Sequence, residues 1–153
     1  MSHSAPLELI TDAAGSVTFG WADDGVFYAR FSRCLSARLG NAFAARLRAA
    51  ACSCASFKYF GDARALESYD LLARSAFLRV VVEQRRKFES LTLLSWAGTD
   101  LSPAFVTTLG DNVLVLKDPI DFEARLMATA PRARQKLGVK SDVRQRSRWP
   151  LRR

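Results

Sequence analysis

From Val26 onward this chain alternates between two hydrophobic periods, and that alternation restricts it to a narrow set of folds. Val26 to Arg33 has period two. Phe27, Ala29 and Phe31 fall on one face, with Tyr28, Arg30 and Ser32 on the other, the pattern of a half-buried strand. Leu35 to Ala51 changes period: Leu35, Leu39, Phe43 and Leu47 step by four, and Arg38, Asn41, Ala45 and Arg48 lie opposite. That spacing predicts an amphipathic, alanine-rich helix. Ser56 to Phe60 reads as a strand and residues 61–64 as a polar loop. A long helix is then predicted from Ser68 to Glu89, with Asp70 near its positive end and Arg85, Arg86 and Lys87 near its negative end. Leu91 to Trp96 and Val113 to Leu116 predict two more strands. Ser102-Pro103 opens a short helix that Gly110 closes. Asp118-Pro119 repeats the device before a helix over Ile120 to Thr129, which Pro131 stops.

Ahead of the alternation lies a hairpin signal. Ser16 to Trp21 is β-prone, and Ala22-Asp23-Asp24-Gly25 is a turn. Leu7 to Ile10 adds an edge strand. Helices that cross over between strands imply parallel pairing and helices packed against the sheet. The expected fold is α/β: a mixed sheet of about four or five strands with about four helices, an N-terminal hairpin first and alternating helices and strands after it.

Charge divides the chain a second way. Residues 1–130 hold 14 Lys and Arg against 14 Asp and Glu, while residues 131–153 hold 9 against the single Asp142, so the whole net charge of +8 lies in the last segment. The expected organisation is one domain over 1–130 and a basic tail over 131–153. The tail has few apolar residues and no sustained period, the composition of disorder. Arg144, Arg146, Arg148, Arg152 and Arg153 are candidate contacts to a polyanion through counterion release. Trp149 is a candidate to stack on an unpaired base. An acidic protein surface, anionic lipid or a merely solubilising role are the other readings.

Catalytic machinery is missing from the sequence. His3 is the only histidine, which argues against nucleophilic triads. There is no phosphate-binding G-x-x-x-x-G-K-S/T loop and no G-x-G-x-x-G after a strand. A closed metal site would need Cys34, Cys52, Cys54 and His3 to converge, so reduced thiols are expected and no metal or cofactor. No apolar run approaches the ~20 residues of a membrane span. Residues 1–6 lack the basic and apolar regions of a secretory leader, and the expected compartment is the cytoplasm.

One combination of residues carries a resemblance. Phe57-Lys58-Tyr59-Phe60-Gly61-Asp62 is followed by Ser68-Tyr69-Asp70-Leu71-Leu72-Ala73-Arg74, and later by Asn112-Val113-Leu114-Val115-Leu116 and Asp121-Phe122-Glu123. With the element order over roughly Leu7 to Ala130, this resembles the STAS family, the anti-sigma-factor-antagonist type of domain, and within it small bacterial STAS-like proteins. The resemblance implies a non-enzymatic regulatory or protein-interaction module with a protein partner, in anti-sigma or related signalling.

Regulatory STAS domains carry an Asp-Ser-Ser/Thr-Gly motif whose hydroxyl is phosphorylated. The similar stretch here is Glu67-Ser68-Tyr69-Asp70, with Glu for Asp, Tyr for the second hydroxyl residue and Asp for Gly. The resemblance therefore makes Ser68 a candidate phosphoacceptor, and Asp62, Arg64, Glu67, Tyr69 and Asp70 a candidate partner surface. A phosphate on Ser68 would be repelled by Asp70 and attracted by the helix N-terminus. Ser68 also reads as a plain helix N-cap, and Asp62 as an Asx-turn residue pairing with Arg64. Two other functions stay open: nucleic-acid association through the tail, and small-ligand or lipid binding.

Overall fold

In the computed structural model, which describes residues 5–95 and 102–138, six strands lie side by side in chain order. They are β1 (Glu8–Thr11), β2 (Gly15–Asp23), β3 (Val26–Leu35), β4 (Phe57–Tyr69), β5 (Phe88–Leu94) and β6 (Val113–Leu116). β1, β2 and β3 pair antiparallel. β3, β4, β5 and β6 pair parallel, and each parallel step is bridged by a helix: α1 (Ala37–Cys52), α2 (Leu71–Glu83) and α3 (Pro103–Leu109). α4 (Pro119–Thr129) and α5 (Ala133–Leu137) follow. The architecture is the mixed α/β sheet expected, with one more strand and one more helix.

Both faces of the sheet are buried. Phe19, Phe27, Ala29, Phe57, Tyr59 and Leu91 meet Phe43 and Leu47 of α1, Val80 of α2 and Phe105 of α3. Tyr28, Phe60 and Leu94 face the other way, onto Phe122 and Leu126 of α4, Ala130, and Ala133 of α5. Phe27 anchors the first face, its ring 5.3 Å from Trp21 and 6.3 Å from Tyr59. β3 is thus covered on both sides at its start; only from Arg30 onward does its second face reach solvent.

α1 begins as its sequence requires. Ser36 caps it, accepting the Leu39 N–H at 3.1 Å, and its hydroxyl donates to Asp12 Oδ2 at 2.6 Å. Asp12 Oδ1 also accepts the N–H groups of Ala14 and Gly15 in the β1–β2 turn. The Ser36 hydrogen bond and these backbone bonds hold the Asp12 carboxyl below its ordinary 3.8, against an opposing desolvation. A carboxyl lowered by folding stabilises the fold fully above that ordinary value, and the stabilisation is lost as pH falls through the lower folded value. Asp12→Asn should therefore flatten the acid limb of stability against pH, measured as urea midpoints between pH 2 and 6 (~2–6). An unchanged limb would show that the turn and the cap are not coupled through this carboxylate.

Two expectations change in the middle of the chain. Residues 61–64 are not a loop: β4 continues to Tyr69, pairing with β3 through Arg30↔Asp62, Arg33↔Leu66 and Leu35↔Tyr69. The helix expected from Ser68 to Glu89 accordingly starts at Leu71 and ends at Glu83, before a 3-10 turn at Arg85–Lys87. A parallel ladder to a strand some thirty residues away outweighs the local polar composition. α1 and α2 then pack almost backbone to backbone, since a Cβ added to Gly40 would lie 2.3 Å from that of Ala73.

The boundary expected at Ala130 also moves. Residues 131–138, assigned to the tail by their charge, form a turn and α5 on the body. Ala133 is fully buried, and the Arg132 N–H donates to Asp23 Oδ2 at 3.1 Å. Lys136 Nζ donates to the carbonyls of Ala5 at 2.7 Å and Trp21 at 2.6 Å. Burial pushes the Lys136 pKa down, with Asp23 opposing. The charges here bind the hairpin end of the sheet. Arg144, Arg146, Arg148, Trp149, Arg152 and Arg153 lie outside the described residues.

Candidate functional site

Ligand and partner sites in parallel sheets gather where the strands end at their carboxyl side. Here that rim is formed by the ends of β3, β4 and β5 and the start of α2. Three features meet there: a buried ionic cluster behind β4, an exposed rim over residues 67–72, and a cleft between the sheet and α2.

The ionic cluster is built on Asp62, which is fully buried. Its carboxylate accepts the Arg64 N–H at 3.0 Å, the Arg64 side chain through Nε and Nη2 at 2.9–3.2 Å, and the Tyr28 hydroxyl at 3.3 Å. Arg64 Nη1 reaches on to Glu123 on α4 at 2.9 Å. Burial disfavours the guanidinium charge, but hydrogen bonds and attraction from Asp62 and Glu123 prevail and raise the Arg64 pKa. Desolvation first, and the Asp62 charge second, keep the Tyr28 phenol protonated as a donor. The cluster ties β3, β4 and α4 together. Asp62 presents no atom to a partner, which corrects its expected place on a partner surface; it makes the local pairing with Arg64 instead. Arg64 is partly exposed but occupied by two carboxylates.

Glu67, Ser68 and Asp70 do lie exposed along the rim, with Tyr69 half-buried between them. The cap role read for Ser68 belongs to Asp70, whose Oδ1 accepts the Leu72 N–H at 2.8 Å. Ser68 sits instead in β4, in register with Cys34, its side chain in solvent. Asp70 already occupies the helix start that would attract a phosphate.

Beside these lie residues whose role sequence reasoning missed. Leu71 and Leu72 are 66% and 65% exposed. The true inner face of α2 carries Ala73, Val80 and Val81. The available signal was composition: α2 is apolar on nearly every side, the mark of a helix covered on more than one face.

The cleft lies under α2 and has a volume of about 120 Å³. Tyr59, Gly61, Tyr69, Arg74, Phe77 and Phe105 are among its walls. Among the described residues Arg74 is the one charged residue lining it. Its guanidinium stacks 5.1 Å from the Phe105 ring, and Nη1 donates to the Tyr69 hydroxyl at 3.5 Å.

The thiols lie elsewhere. Cys52 is exposed, Cys34 and Cys54 are half-buried, and all three are free. Desolvation pushes the Cys54 thiol up, away from the reactive thiolate form. Among the described residues no cluster of His, Cys, Asp and Glu gathers to hold a metal, and no helix is long and apolar enough to cross a membrane.

No family model matches the chain, and no curated protein sequence matches it. Solved structures do. An uncharacterised DUF3478-family protein from Shewanella loihica PV-4, with a SpoIIAA-like fold, superposes with a TM-score of 0.51 at 11% identity, covering 82% of this chain and 98% of its own. The anti-sigma factor antagonist SpoIIAA in its unphosphorylated form gives 0.48 at 13% identity, over 80% and 97% of the two chains. The Pseudomonas malonate decarboxylase MdcD–MdcE heterodimer gives 0.48 at 15%, over 80% and 64%. At such identities the likeness is one of fold. Together with the strand order and the crossover helices, the first of these matches shows that the chain has a SpoIIAA-like α/β fold.

Proposed function

We propose that this chain is a non-enzymatic regulatory module that binds a protein partner through the rim at the end of β4 and the start of α2. The observation that carries the reading is the adjacent exposed pair Leu71 and Leu72. An apolar patch rimmed by polar groups marks a protein contact more often than chance. Leu71, Leu78 and Val82 continue it along one side of α2 at helical spacing, and Val82 is exposed as well. Glu67 and Asp70 give the patch an acidic border, so the fitting partner has an apolar centre and a basic edge.

The likeness of residues 67–70 to the regulatory STAS motif supports an anti-sigma or related signalling protein as the partner class, with the cytoplasm as the compartment. Ser68 is then the modulating position. Phosphorylation would add about two negative charges beside Glu67 and Asp70 and weaken docking to a basic edge.

The test uses a partner retained by the whole chain and then purified. Leu71→Asp with Leu72→Asp should weaken binding at least ~10-fold with an unchanged melting temperature, since both side chains are solvent-exposed already. Ser68→Glu should weaken it less. Ile120→Asp, on α4, should leave it intact. Equal affinity of the double variant and the parent would rule out this surface.

A further inference from the structure

The cleft under α2 has a chemistry of its own, distinct from the outward leucines of the same helix. An apolar cavity of about 150 Å³ accommodates benzene, so a cleft of about 120 Å³ has room for little more than one ring. Small residues keep it open: Gly61 and Ala63 on β4 and Ala73 on α2 line it where larger side chains would fill it.

Tyr59, Tyr69, Arg74 and Ser95 interrupt the apolar lining; Tyr69 accepts from Arg74 and Ser95 Oγ donates to the Leu116 carbonyl, which leaves two groups to meet a ligand. Tyr59 is 1% exposed, and among the described residues its hydroxyl has no hydrogen-bond partner. That hydroxyl lies 3.1 Å from where a Cβ on Gly61 would stand, so the bare glycine preserves the space beside it. Desolvation, reinforced by Tyr28, keeps the phenol protonated. A buried O–H donor without an acceptor is disfavoured, and an oxygen arriving in the cleft would satisfy it. The second group is Arg74. Among the described residues no carboxylate pairs with it, in contrast to Arg64 with its two, and stacking on Phe105 holds the guanidinium at the cleft.

We propose that this cleft binds a small aromatic carboxylic acid, its ring in the apolar space, its carboxylate on Arg74, and an oxygen substituent on the ring accepting from Tyr59. A planar fork of donors suits a carboxylate, and one ring matches the volume. An acyl chain of similar size would meet the same walls, and only the ring substituent would address Tyr59.

Calorimetric titration of the full chain with 4-hydroxybenzoate, benzoate, benzamide and hexanoate tests this. 4-Hydroxybenzoate should bind saturably and tighter than benzoate, and benzamide at least ~10-fold weaker than benzoate, because it lacks the charge. Arg74→Gln should remove the preference for acid over amide. Tyr59→Phe should make the two acids equal while leaving benzoate binding intact. Ala63→Leu, which fills the cleft, should abolish all binding, with circular dichroism confirming the fold. No saturable binding at millimolar concentration, an unchanged Arg74→Gln variant, or hexanoate equal to benzoate would each overturn the proposal. None of these outcomes bears on partner binding at Leu71 and Leu72, which point away from the cleft.

Discussion

Arg64→Leu should lower the unfolding free energy by about 3–5 kcal/mol, the cost of leaving one member of a buried ion pair uncompensated. The size follows from an asymmetry. The Asp62 side chain is fully buried while that of Arg64 is 39% exposed, so losing the arginine strands a carboxylate that no water reaches. Only the Arg64 backbone N–H and the Tyr28 hydroxyl would still serve it. Leucine keeps most of the side-chain volume, so the loss reports charge rather than packing. Adding Asp62→Asn removes the stranded charge and should restore most of the stability. Urea unfolding of the parent, the single variant and the double variant measures all three. A loss below about 1 kcal/mol for Arg64→Leu would reduce the cluster to the value of a surface pair.

Ending the chain at Ala130 should cost on the order of 3 kcal/mol more than ending it after Gly138. The shorter chain loses fully buried Ala133, the packing of Leu137 and the two carbonyl contacts of Lys136. It also uncovers part of the Tyr28–Phe122 face. For a domain of this size the melting temperature should fall by on the order of 10 °C, read by thermal unfolding of the two truncated chains. Equal melting temperatures would mean that α5 rests on the body without stabilising it.

Both predictions fall where sequence reasoning and structure part. The hairpin, α1 and the proline-opened starts of α3 and α4 were legible because their signals are local: alternation, four-residue steps, and Ser102 and Asp118 as caps. Residues 61–69 were not, because Asp62, Arg64 and Glu67 have the composition of a loop and become strand only through the ladder to β3. Residues 131–138 misled for a related reason. Lys136 and Arg132 look solvated in sequence, yet they meet backbone carbonyls and a carboxylate contributed from more than a hundred residues away. At the site, the stretch 67–70 was located through its resemblance, and Ser68, Glu67 and Asp70 do lie on the rim. Leu71 and Leu72 were lost to a helix start placed three residues early. Nothing in a linear pattern marks Tyr59 and Arg74, whose interest comes from what surrounds them.

Among the described residues the sheet has two open margins, and both are short. β1 and β6 are four residues each. Asp111 and Asn112 precede β6, and Lys117, Asp118 and Pro119 follow it; at the opposite margin Glu8 is held in an ion pair with Arg46. Unpaired strand edges are templates for intermolecular growth, and brevity, charge and proline are what blunt them. Neighbouring copies crowded together would find only a brief run of free amides and carbonyls, flanked by groups that resist extension. A molecule that exposes Leu71, Leu72 and Val82 along one helix thus has strand margins, among its described residues, that disfavour fibrillar self-association.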